Sequence, residues 1–94
     1  MSLSTEAAET LGLRVLAWLV ANDDLLPVFL GASGASSGEL AQRAAEPEFL
    51  GSVLEFLTMD DAWVVAFCDA NGEAYETPMM AAQVLLGASR MHWT

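Results

Sequence analysis

Ninety-four residues set the expectation of one domain, and 54% of them are hydrophobic. A fold this small hides only about 60–65% of the surface of its unfolded chain, so some large apolar side chains must stay near the surface. The net charge is −10, from thirteen acids against three arginines and no lysine, which argues against nucleic acid and against anionic membrane as partners.

Residues 1–4 read as a flexible lead, and Thr5 is the expected N-cap of a helix over 5–21. Ala7, Leu11, Val15, Trp18 and Leu19 recur at three- and four-residue steps, and Leu13, Leu16 and Val20 widen the stripe. Asn22-Asp23-Asp24 breaks this helix, and Asn22 or Asp23 can cap a second, short one at 23–31. Pro27 falls within its early turns, where a missing amide hydrogen costs least, and Gly31 and Gly34 mark its end.

The small, polar run at 32–38 is a loop. Ser36 or Ser37 then caps a third helix at 37–45, with Glu39 close to the capping-box position. Glu46-Pro47 starts a fourth helix at 47–58, because proline at the first helical position has its backbone angle preset. Its stripe is Phe49, Leu50, Val53, Leu54 and Leu57, with Phe56 on the flank.

Asp60 or Asp61 caps a fifth helix at 60–70, which Asn71-Gly72 closes. This helix is apolar on nearly every side over Ala62, Trp63, Val64, Val65, Ala66, Phe67 and Cys68, so it should lie at the centre of the fold or under a partner. Thr77-Pro78 repeats the start signal for a last helix ending at Gly87, and 88–94 reads as a flexible tail. With no period-two segment, the fold class is all-α: a compact orthogonal bundle of five or six short helices filling one domain over 1–94.

Little here points to chemistry. His92 is the lone histidine, whereas a transition-metal site needs three or four such ligands. Cys68 precedes Asp69 near a helix C-terminus, which disfavours a thiolate and marks a small core residue. The pairs Asp23-Asp24 and Asp60-Asp61 each begin a helix, where carboxylates satisfy free amides. Gly31-Ala32-Ser33-Gly34 has neither the lysine nor the preceding strand of a phosphate loop. A helix-turn-helix reader needs basic residues on its outer face, but the helix at 47–58 offers Glu48, Ser52 and Glu55 there, and glutamates repel phosphate. No catalytic, cofactor-binding or metal-binding residues are assigned, and an enzyme is not expected.

A lone cysteine forbids an internal disulfide and fits a reducing compartment. The N-terminal residues lack a basic region and an apolar signal core, and the apolar runs at 15–21 and 62–68 fall short of the ~20 residues of a membrane span. The expected location is the cytoplasm.

The segments Leu16-Ala17-Trp18-Leu19, Phe29-Leu30, Pro47-Glu48-Phe49-Leu50, Val53-Leu54-Glu55-Phe56-Leu57 and Phe67-Cys68 carry a resemblance. The chain resembles a family of small bacterial all-helical proteins of unknown function over about residues 8–72. That resemblance implies a compact helical fold and a bacterial cytoplasmic setting, and it brings no activity or catalytic residues.

The surplus of large apolar residues leads to two expectations. The first is a non-enzymatic module that binds another protein or itself, with Trp18, Phe56, Trp63 and Phe67 as candidate contact residues. The second is a small-molecule or lipid-binding module with a cavity lined by methionine and tryptophan.

Overall fold

The computed structural model of the chain describes residues 3–90. Six α-helices follow one another without a strand among these residues: α1 (Thr5–Val20), α2 (Leu26–Ser33), α3 (Leu40–Arg43), α4 (Pro47–Leu57), α5 (Asp61–Asn71) and α6 (Thr77–Arg90). A single 3₁₀ turn, Ser37–Glu39, leads into α3. The radius of gyration of 12.6 Å matches the value of about 12 Å expected for a folded chain of this length, so the helices close on a common core.

The local signals explain most of the boundaries. Ser4, not Thr5, caps α1: its backbone is extended, and its hydroxyl oxygen accepts from the Ala7 amide at 3.0 Å. The flexible lead expected at 1–4 is corrected for its last two residues, because Ser4 is fixed as a cap and Leu3 packs against the core. Asn22 Oδ1 accepts from the amides of Asp24 and Leu25, both at 3.1 Å. It closes a turn over 23–25 before α2 begins at Leu26. Gly31 leaves α2 unbroken, and the helix stops at Gly34, whose φ of 76° is a conformation that a side chain would oppose.

Ser36 and Glu39 set the 3₁₀ turn, with the Ser36 amide donating to Glu39 Oε1 at 2.8 Å. Asp60 caps α5 by accepting from the Ala62 amide at 2.8 Å, and Gly72 ends that helix in left-handed geometry. The sixth helix runs past its expected end. Gly87 does not adopt a positive φ, so nothing there turns the chain out of the helix, and α6 continues to Arg90. Part of the expected flexible tail is therefore helical. Residues 1–2 and 91–94, with His92 and Trp93, lie outside the described residues.

The centre of the fold is α4, packed against α1 and α6, which also meet each other. Its buried residues Phe49, Leu50, Gly51, Val53, Leu54, Phe56 and Leu57 cover most of its circumference and leave Glu48 and Glu55 outside. From α1 come Ala8, Leu11, Gly12, Val15, Leu16 and Leu19. This face is turned slightly from the predicted stripe, so Ala7, Leu13 and Val20 are exposed. From α6 come Pro78, Ala81, Ala82 and Leu85.

The central place predicted for α5 is corrected: it buries only Phe67 and Cys68 and packs on the α1–α4–α6 trio far less closely than the three pack on one another. Three of its apolar residues are alanines, which make a helix apolar on paper while removing little surface from water when buried.

Two glycines set how near the trio can come. A Cβ on Gly12 would lie 2.9 Å from Leu50 Cβ, and one on Gly51 would lie 2.7 Å from the Leu86 side chain. Leu50 Cβ is fixed to its backbone, so relief at Gly12 requires α1 and α4 to separate, whereas Leu86 can rotate. Gly12→Ala should thus destabilise the fold by about 1–3 kcal/mol despite the better helix propensity of alanine. Gly31, on the surface of α2 with open space around it, supplies the contrast. There Gly31→Ala should stabilise by roughly 0.5–1 kcal/mol. Thermal denaturation of the two variants beside the parent should move in opposite directions, and equal shifts would remove the close-approach reading of Gly12.

Candidate interaction surfaces

The four aromatic residues singled out in the sequence come together as two pairs. Trp18 of α1 meets Phe67 of α5 edge-on, with ring centroids 5.9 Å apart. Phe56 of α4 stacks on Trp63 of α5 at 4.9 Å and 24° between planes. Phe67 is 0% exposed and Phe56 is buried, so neither stands out on the surface as a contact residue, although an edge of Phe56 reaches the groove described below. The two tryptophans are partly buried by the same contacts. Both pairs join α5 to the trio, and each adds about 0.5–1.5 kcal/mol beyond the area it buries. They explain how a helix with so few buried residues stays in place.

The large apolar groups that do reach solvent are others. Leu13 and Val20 lie on α1, Val28 on α2, Met59 after α4, Val65 on α5, Tyr75 before α6, and Met79 and Met80 on α6. Only the excess of apolar residues over interior volume signals them in the sequence; nothing local separates Val65 from Val64. On α5 the exposed residues are Asp61, Ala62, Val65, Ala66, Asp69, Ala70 and Asn71, and the outward face sets Ala62, Val65, Ala66 and Ala70 beside the carboxylates of Asp61 and Asp69.

An open groove of about 540 Å³ runs along the outer side of α4, with the end of α2 as its opposite wall. Phe29, Phe49 and Phe56 form its floor, with Phe29 edge-on to Phe49 at 6.0 Å and to Phe56 at 5.2 Å. Glu46, Glu48, Glu55 and Met59 rise around it, and Ser52 lies between. The Ser52 hydroxyl is turned inward, donating to the Phe49 carbonyl at 2.7 Å. Arg43 stands at one end with its guanidinium 4.8 Å from the Phe49 ring centroid and 3.4 Å from Glu46. Neither tryptophan lines this groove, and the methionines at 59, 79 and 80 are exposed. The methionine- and tryptophan-lined cavity raised by the sequence is thus not assembled from these residues.

The remaining polar contacts brace loops. Arg14 pairs with Glu73 at 3.0 Å, tying α1 to the α5–α6 loop. The Tyr75 hydroxyl donates to Asp69 at 2.7 Å, and that bond together with the carboxylate charge raises the phenol above its ordinary range. The Cys68 thiol is raised by burial first and then by Glu73, Asp69 and Glu76, while its Sγ donates weakly to the Ala74 carbonyl. Among the described residues no His, Cys, Asp or Glu cluster is arranged to hold a metal ion, and no helix is long and apolar enough to cross a membrane.

This architecture defines a small all-α bundle with aromatic clamps and an acidic outer face on its central helix. Residues 5–88 match the family described as protein of unknown function (DUF3572), and the chain belongs to that family. No curated protein and no solved structure matches the chain.

Two outcomes follow from these local environments. Cys68 should resist a thiol reagent such as a disulfide chromophore in the native state at mildly alkaline pH and react within mixing time once the chain is unfolded; rapid native labelling would contradict its buried, proton-holding surroundings. Glu39 is the pH-dependent part of the 3₁₀ cap, since the amide and hydroxyl of Ser36, with a smaller effect of Arg43, lower its carboxyl from the ordinary range. A lowered folded-state pKa stabilises above the ordinary carboxylate value, and that stabilisation is lost as pH falls through the folded value. The Tm gap between the parent and Glu39→Ala should therefore be widest near neutrality and close on acidification, and a gap independent of pH would show that the charge plays no part.

Proposed function

We propose that the protein is a non-enzymatic interaction module that associates with itself or with another protein through an apolar helical face. The observation that carries this reading is the outer face of α5. Ala62, Val65, Ala66 and Ala70 stand exposed on a helix that the core clamps by its inner side alone, and Val65 keeps 41% of its surface. Small apolar residues in a row let two helices approach closely, so the gain comes from packing over a wide contact. The perturbed titratable groups support a binding role over catalysis. Glu39, Cys68 and Tyr75 owe their shifts to a cap, to burial and to a surface hydrogen bond; Cys68 and Tyr75 share the rim of one shallow hollow at the α5–α6 loop, and Glu39 lies apart from them.

Light scattering on the purified chain tests the self-associating form. The mass in solution should exceed the 10.0 kDa of one chain and fall back to it in Val65→Glu. Circular dichroism should show the helices of that variant intact, because Val65 is exposed. A monomer across the accessible concentration range would sink self-association, and a multimer indifferent to Val65→Glu would move the contact off α5.

A further inference from the structure

We propose that the α5–α6 loop, residues 72–76, is a strap that opens locally while the three-helix core stays folded, and that its opening uncovers the Cys68 thiol. Three successive loop residues are each tied to a group outside the loop. Glu73 accepts from Arg14 of α1 at 3.0 Å, the Ala74 carbonyl receives the Cys68 thiol at 3.5 Å, and the Tyr75 hydroxyl donates to Asp69 at 2.7 Å. These ties hold the loop across the end of α5. An open hollow of about 450 Å³ lies there, lined by Cys68 and Asp69 of α5 and otherwise by the loop itself. Cys68 is only 1% exposed. On the hollow side its cover is the loop, so moving the loop is enough to admit a small reagent.

The two ends of the strap show why it moves alone. Phe67 and Pro78, on either side of it, are fully buried and stay with the core. Between them the chain has a hinge at Gly72, which is in left-handed geometry with open space around it. Ala74, Tyr75 and Glu76 are exposed. Both side-chain ties lie in water as well, with the Arg14 side chain and Tyr75 each 53% exposed. Ion pairs and hydrogen bonds in that setting are weak, because water competes for both partners. Opening the core instead requires α1, α4 and α6 to separate. A segment held by exposed polar contacts between buried anchors opens at a far lower free energy than the whole fold. Charge acts in the same direction. Asp69, Glu73 and Glu76 share the lining of the hollow, and Arg14 and the Tyr75 hydroxyl offset their mutual repulsion.

The test exposes the full, native chain to N-ethylmaleimide, an uncharged thiol reagent, and follows the modified fraction by intact mass. Modification should be slow, and its rate should stay flat with urea below the unfolding transition, since a local opening exposes little surface. Tyr75→Phe should speed it about three- to tenfold and Arg14→Gln about two- to fivefold, the factors expected from loss of one exposed tie. The sign of the Arg14→Gln effect separates two explanations. Removing a cation from acidic surroundings disfavours the thiolate and would slow a thiol that was already reachable, whereas release of the strap speeds it. Tyr75→Phe removes one oxygen from an exposed ring and leaves the core untouched.

Val53→Ala supplies the contrast. It lowers global stability from inside α4, where Val53 is 0% exposed, and touches none of the ties. Its modification rate at low urea should equal that of the parent. A parent rate that climbs with urea along the global unfolding slope would overturn the strap. So would a Val53→Ala protein modified faster than either tie variant, or tie variants modified no faster than the parent.

Discussion

The backbones of α1 and α4 approach one another at Gly12 because that residue leaves out a Cβ that would otherwise press on Leu50. A second omission, at Gly51, lets α6 lay Leu85 and Leu86 on the adjoining side of the same helix. Much of the buried aliphatic core is arranged around this three-helix contact, and Phe29 of α2 and Phe67 of α5 close it from the edges. Val15, Leu19, Val53, Leu54 and Leu57 lose their water because the helices are this close. A separation of even a fraction of an ångström would cost dispersion contacts along both seams. A small bundle has few buried residues over which to spread such a loss, so the positions of the two glycines constrain the fold more than any single hydrophobic residue does.

The aromatic clamps solve a different problem. With the centre occupied by α4, α5 has only an edge position left, and its alanines give little driving force for burial. Trp18 against Phe67 and Trp63 against Phe56 supply it from large rings placed one helical turn apart on α5. The consequence is that α5 has two unlike sides. Its inner side is held by rings, and its outer side keeps small apolar groups in water. A helix buried on all sides would offer nothing to a partner, and a helix polar on its outer side would offer nothing apolar.

The legible parts of this fold are those governed by residues within one turn of each other. Pro47, Asp60, Gly72 and the Thr77-Pro78 pair mark boundaries because caps and prolines act on neighbouring amides, and the structure puts helix ends at or beside them. The Ser4 cap was displaced by one residue from Thr5, since two adjacent hydroxyl residues offer the same chemistry and backbone geometry chooses between them. Gly12 and Gly51 were opaque for the opposite reason. A glycine inside a helix reads as a loss of propensity until the residue facing it is known, and that residue lies in another segment. The position of α5 was misread because periodicity counts alanine as apolar without weighing how little area it buries. Of the candidate contact residues, Phe56 and Phe67 are buried, because size alone cannot tell a clamp from an anchor.

The acidic character of the chain acquires a location through α4. The glutamates that set its outer face against phosphate, Glu48 and Glu55, sit on the helix whose other sides organise the core. The outer face of α5 differs: it sets Ala62, Val65, Ala66 and Ala70 beside the carboxylates of Asp61 and Asp69. The two faces lie on neighbouring helices joined by the Phe56–Trp63 stack. A change at the stack would disturb both at once, because Phe56 forms the floor of the groove and Trp63 holds the helix that presents the apolar face.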